Sequence, residues 1–165
     1  DLRSIVRSVV DVALPEDPEE SITLTFEPLN DDEVPDMTVR GEPGQLSQVV
    51  TNLVQNAIKY TDHGTISVCM IYDKTQSHVG FSVTDTGIGI AETDIPHLFE
   101  RFYRGENASQ STTPGTGLGL SIVQEIVQLH HGAIAVESTL GEGTTFTITF
   151  PHYQIMILDS HEPLG

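Results

Sequence analysis

The chain has 165 residues, 38% of them hydrophobic, with one cysteine. That suits one domain with a core of its own and rules out an internal disulfide or a cysteine metal cluster. Against 24 Asp and Glu stand 7 Lys and Arg, a formal net charge of -17, so the surface repels nucleic acid, anionic membrane and, at long range, free nucleotide.

The elements follow in order. Leu2, Ile5, Val6, Val9, Val10 and Ala13 form a helical stripe that Pro15 ends. Residues 15–20 are an acidic loop, 22–26 a strand, and 37–40 a short strand. Leu46, Val49, Val50, Leu53, Val54, Ala57 and Ile58 mark a second helix, stopping near Asp62-His63-Gly64. Two alternating strands follow, one with Ile66, Val68, Met70 and Tyr72 on a face, the next with Val79, Phe81 and Val83. Cys69, inside the first of these apolar runs, reads as a small core residue. Residues 95–102 have helical character, and 104–117 are polar, a long mobile loop. A third helix spans 118–129 and ends at His131-Gly132. Two closing strands carry Ile134 and Val136, then Phe146, Ile148 and Phe150, joined at Gly141-Glu142-Gly143. Three helices and five or more strands predict a two-layer α/β sandwich. No apolar run approaches membrane-spanning length and the chain does not open on a signal-peptide pattern. This piece is expected on the cytoplasmic side without direct membrane contact, whether or not a longer parent is anchored.

Four clusters invite chemistry. Asn52, Asn56 and Lys59 share a flank of the second helix, with Tyr60 beside them. An amide oxygen ligates Mg²⁺ and an ammonium meets phosphate, although a plain polar flank has the same pattern. Asp85 has the strand parity of Val79, Phe81 and Val83, so its carboxylate points to the apolar side, where it needs donors. The exocyclic amine of adenine is one, and Gly87 and Gly89 let backbone come close to a flat ring. Gly115-Thr116-Gly117-Leu118-Gly119 opens the third helix, where free N–H groups bind anions. It is not a Walker A loop, because no Gly-Lys-Ser/Thr follows. Gly141-Glu142-Gly143-Thr144, taken alone, is a turn between strands.

Together these segments resemble the motifs of sensor histidine kinases. Gln48 to Thr61 resembles the N box, Asp85-Thr-Gly-Ile-Gly-Ile90 the first glycine box, and Phe99-Glu-Arg-Phe102-Tyr-Arg104 the F box. Gly115 to Leu120 is similar to the second glycine box and Gly141 to Thr144 to the third. Order and spacing match the histidine-kinase branch of the gyrase, heat-shock chaperone, kinase and MutL superfamily, over about residues 1–150.

The resemblance implies a Bergerat-type ATP-binding fold, a mixed and mostly antiparallel sheet against three helices, with residues 151–165 left as a C-terminal extension. It implies ATP and Mg²⁺ as cofactors. Asn56 is implied as the metal ligand, Asn52 as its supporting N-box residue, Lys59 as a phosphate contact and Tyr60 as a pocket residue. Asp85 is implied as the adenine-reading carboxylate, with Gly87, Gly89 and Ile90 around the ring and Thr144 in support. Residues 104–116 match an ATP lid, and Gly115, Thr116, Gly117, Leu118 and Gly119 its phosphate-side hinge. Phe99 and Phe102 look like the aromatics that couple lid to core. Hydrolysing members of the superfamily have a glutamate where this chain has Asn52, so an amide with no basic oxygen points to phosphotransfer. The implied partners are a dimerisation and histidine phosphotransfer domain and a response-regulator receiver domain. An ATP-hydrolysing clamp and a degenerate, non-catalytic scaffold are the alternatives. The acidity points to a high-salt setting, where screening removes self-repulsion; an acidic domain from an ordinary organism is the other explanation.

Overall fold

Alternation of apolar and polar side chains builds the sheet. A computed structural model describes residues 1–13, 21–29, 36–104 and 116–154. In it β1 (Ile22–Glu27), β2 (Gly64–Asp73), β3 (His78–Asp85), β4 (Ala133–Thr139) and β5 (Gly143–Pro151) lie in the spatial order β1-β2-β3-β5-β4. β1 is parallel to β2 and the other pairings are antiparallel. The register sets Val68 opposite Val83 and Val83 opposite Phe146. One face therefore collects Ile66, Val68, Met70, Val79, Phe81, Val83, Phe146, Ile148 and Phe150, all buried.

Among the described residues three helices cover that face: α1 (Leu2–Ala13), α2 (Pro43–Lys59) and α3 (Gly119–Leu129). Each gives its apolar stripe to one core, with Leu2, Val6 and Val10 from α1, Val49, Val50, Leu53 and Val54 from α2, and Val123, Ile126 and Val127 from α3. Burying a side chain of this size contributes about 1.5–3 kcal/mol before conformational entropy is charged against it. α2 packs against both other helices and against β3. Its start is fixed by Pro43 in the first turn and by the Glu42 carboxylate, which accepts from the N–H of Gly44 at 3.1 Å and of Gln45 at 2.7 Å. This is the two-layer sandwich, with a mixed, mostly antiparallel sheet, of a Bergerat-type ATP-binding fold. No helix among the described residues is long and apolar enough to cross a membrane.

Three local expectations are corrected. Residues 37–40 form no strand. Met37 is buried and its carbonyl accepts from Leu2 N–H at 3.0 Å, while Thr38 O accepts from Tyr153 N–H at 2.8 Å. Those groups are satisfied by a helix start and by the chain after β5, so no ladder forms. Over 95–102 only Ile95–His97 is helical, as one 3-10 turn. Phe102, at φ 65°, has left helical space. Cys69 falls between the buried Val68 and Met70, so strand parity puts it on the outer face, half-buried, with its thiol 3.3 Å from Ser67 Oγ. The sequence's acidic loop, the lid residues 105–115 and the run Gln154–Leu158 beyond its first residue lie outside the described residues.

Candidate functional site

Spacings of four and three along α2 place Asn52, Asn56 and Lys59 on the flank beside its buried stripe. They open into a cavity of about 400 Å³, which they share with Tyr60, Asp85, Gly89, Ile90, Thr116, Gly117, Gly119 and Thr144. Most of the residues singled out in the sequence are therefore brought together from four distant segments. Leu118 and Gly87 are adjacent and do not line the cavity, and Gly115 lies outside the described residues.

Asp85 ends β3 and is only 8% exposed. Its Oδ1 accepts from Gly87 N–H at 2.9 Å. Burial pushes its carboxyl above the usual carboxylate range, and the backbone N–H groups of Gly87 and Thr144 pull it part of the way back. A carboxylate kept in such a place calls for a further donor. Thr144 stands opposite it in register and also lines the cavity. Ile90, Leu98, Leu120 and Phe146 add apolar wall to a lining that is otherwise mostly polar.

The space left by the two glycines after β3 is occupied by backbone. A Cβ on Gly87 would come within 2.2 Å of Tyr60 O, and one on Gly89, whose φ is +67°, within 2.1 Å of Thr139 O. Ile88 N–H donates to Tyr60 O at 3.1 Å and Gly141 N–H to Ile88 O at 2.7 Å. The segment is clamped between the end of α2 and the β4–β5 turn, which holds Asp85 at a fixed angle.

On the other wall, Asn52 Nδ2 donates to Gly119 O at 3.2 Å. That bond ties α2 to the first residue of α3. Phe102 N–H donates to Gly117 O at 2.9 Å, and its ring is 72% exposed, whereas Phe99 packs against the core. The two F-box aromatics thus separate, one inward and one on the surface.

Sequence reasoning did not single out Arg104, Tyr103 and Asp94 as cavity residues. Tyr103 OH donates to the buried Asp94 at 2.7 Å. Arg104 had a signal in the sequence. Of 7 Lys and Arg in the chain, Lys59 and Arg104 both line this cavity, so scarce positive charge is concentrated where anions would bind. Lys59 Nζ also stands 5.0 Å from the centre of the Tyr60 ring, an attraction that steadies the ammonium.

The donor set fits a magnesium nucleotide. Among the described residues no group of three His, Cys, Asp or Glu side chains converges as a metal site. Asn56 offers an amide oxygen, and Mg²⁺ commonly takes one or two protein ligands while phosphates and water supply the rest. A cation arriving on a triphosphate suits such a wall, and apolar side chains sharing the lining with the Asp85 carboxylate suit a purine.

A family model described as "Histidine kinase-, DNA gyrase B-, and HSP90-like ATPase" matches residues 41–154. The chain belongs to this family, in its histidine-kinase branch. It is 44% identical over 115 residues to the sensor-like histidine kinase SenX3 of Mycolicibacterium smegmatis, a match covering 70% of this chain and 30% of that protein. The solved catalytic domain of histidine kinase ThkA is 30% identical, with a TM-score of 0.72 and coverage of 92% of both chains. Full-length ShkA, solved in complex with AMPPNP, gives 29% identity and a TM-score of 0.77 over 94% of this chain and 31% of its own. This histidine-kinase ATPase domain thus spans less than a third of the length of SenX3 and ShkA.

Proposed function

We propose that the cavity binds Mg·ATP and that the domain delivers the γ-phosphoryl group to a histidine on a separate dimerisation and phosphotransfer domain. From there the phosphoryl group passes to the receiver domain of a response regulator, in a two-component sensor kinase. The observation that carries this is Asp85, a buried carboxylate lining a cavity that Asn56, Lys59 and Arg104 also line. Adenine N6–H matches the acid, and phosphates match the cations. The similar structure of ShkA was solved in complex with AMPPNP, which supports a nucleotide as the occupant.

The bound nucleotide, with its Mg²⁺, supplies the electrophilic phosphorus. The residues of this chain hold and orient it. Asp85 would accept from the base, Lys59 and Arg104 would offset phosphate charge, and Asn56 would offer its amide oxygen to the metal. Asn52 spends its amide N–H on Gly119 O and has no basic oxygen with which to activate water. Apolar walls limit water further, so the site favours presentation of the phosphate over hydrolysis. None of the six described histidines lines the cavity. His130, the buried one, has Nδ1 on Ile126 O at 2.8 Å and Nε2 accepting from Glu42 N–H at 3.1 Å. The acceptor imidazole is accordingly assigned to the partner domain.

Radiolabelled ATP with Mg²⁺ tests the assignment. The isolated chain is expected to gain no acid-labile label, and adding the dimerisation domain of the parent kinase is expected to produce slow transfer, because no tether raises the local concentration. Asn56→Ala is expected to abolish that transfer with little loss of melting temperature, since Asn56 is a half-buried flank residue. Rapid release of inorganic phosphate by the chain alone would instead identify a hydrolase.

A further inference from the structure

Behind the acidic end of the cavity lies Ser138, on β4 opposite Thr144. It does not line the cavity. Its hydroxyl oxygen takes part in three contacts. It accepts from Ile90 N–H at 2.8 Å, lies 2.9 Å from Gly143 O, and lies 2.8 Å from Thr144 Oγ1. A carbonyl cannot donate, so the one proton of Ser138 goes to Gly143 O. The Thr144 hydroxyl must then donate to Ser138, because no other proton remains for that contact. Thr144 is buried, and with its proton directed backward it can present only lone pairs to the cavity. Asp85, its partner in register, presents a carboxylate.

We propose that Ser138 is a positioning residue for base selection: by fixing the direction of the Thr144 hydroxyl, it makes the closed end of the cavity a surface of acceptors only. Such an end matches a base edge carrying an exocyclic amine, as in adenine. It opposes a base with a carbonyl at that position, as in hypoxanthine or guanine, because acceptor would face acceptor. A freely rotating Thr144 hydroxyl would donate to that carbonyl and weaken the discrimination. Ser138 thus acts through Thr144 without touching the nucleotide. The same oxygen anchors Ile90 N–H, so the wall of the cavity and its polar end are set by one atom.

This inference rests on the cavity being the nucleotide site, and the test separates the two. Binding of Mg·ATP and Mg·ITP to the whole chain is measured by calorimetry for the wild type, Ser138→Ala, Ser138→Cys and Ser138→Thr. Absence of ATP binding to the wild type would refute the nucleotide site itself. With that binding present, Ser138→Ala is expected to reduce the ATP-to-ITP preference by about tenfold, the scale of one reoriented hydrogen bond. Ser138→Cys, which fills the same space with a weak donor and acceptor, is expected to behave alike and carries the test should the alanine variant fold poorly. Ser138→Thr keeps the hydroxyl and is expected to keep the preference. Wild-type preference in both the alanine and cysteine variants would overturn the role given to Ser138.

Discussion

Asp85 shows how one side chain trades stability for function. Its folded carboxyl is held above the ordinary range by burial, so the ionised form costs the empty protein stability. The sign follows from linkage: a raised carboxyl binds its proton more tightly in the folded state. The cost is full above the raised pKa, shrinks as pH falls through it, and is gone below the unfolded value. Asp85→Asn is therefore expected to melt higher than the wild type at neutral pH without nucleotide, with the gap closing on acidification. On the proposed function, the same change replaces one acceptor oxygen by an NH2 donor and removes the charge facing the base, and should weaken Mg·ATP binding by about 2–4 kcal/mol. Mg·ATP well above the wild-type Kd should then reverse the order of melting, because the wild type gains more ligand stabilisation than the variant. Melting curves over pH, with and without nucleotide, check both halves; a variant less stable than the wild type in every condition would remove the argument. The inward turn of Asp85 was legible from strand parity, whereas its place in a site was suggested only by the resemblance. Ser138 was not, because its role depends on which of two hydroxyls owns a proton, a fact fixed only when β4 and β5 come into register.

Among the elements, α3 carries an unusual ending. Gly132 N–H donates to Val127 O at 2.8 Å and His131 N–H to Gln128 O at 3.0 Å, the bonding pattern of a Schellman cap. The residue that must be left-handed is His131, with φ 56°. A side chain there is strained where glycine is not. His131→Gly is expected to stabilise the domain by about 0.5–1 kcal/mol, read as a shift of the urea midpoint at unchanged slope. A lower midpoint would mean that the exposed ring makes a favourable contact outweighing the strain. The sequence placed this helix end correctly at His131-Gly132 but not its division of labour. Gly132 is needed for space, since a Cβ would lie 2.6 Å from Thr149 O. Helix and strand interiors were legible because their periods repeat over many residues, as in α2 and β3. Segment 37–40 misled because its extended backbone is satisfied by Leu2 and Tyr153, partners that no local pattern announces.

At the scale of the whole molecule, charge opposes both folding and ligand. A net charge of -17 on 165 residues repels itself, and it repels a triphosphate before Lys59 and Arg104 can act. The described ion pairs give little relief, since Arg101–Glu125 and His97–Glu100 both lie on exposed side chains, where such pairs are weak and screened. Added salt therefore removes much repulsion and little attraction. The core, the caps of α2 and the Asn52–Gly119 tie contain no ion pair that salt would break. The melting temperature is expected to rise between about 0.1 M and several molar KCl. Ordinary screening has most of its effect at the low end, where the Debye length is about 10 Å. A rise that continues beyond about 1 M, where it is about 3 Å, requires repulsion between close acidic neighbours, and that is the signature of a surface suited to high salt. A plateau reached near physiological ionic strength fits an acidic domain of an ordinary organism, and a flat or falling curve sinks the claim that net charge limits stability. Potassium chloride suits the test because, unlike sulfate or phosphate, it is not among the salts that strengthen apolar burial by exclusion from the surface, so the rise it produces reports mainly on charge.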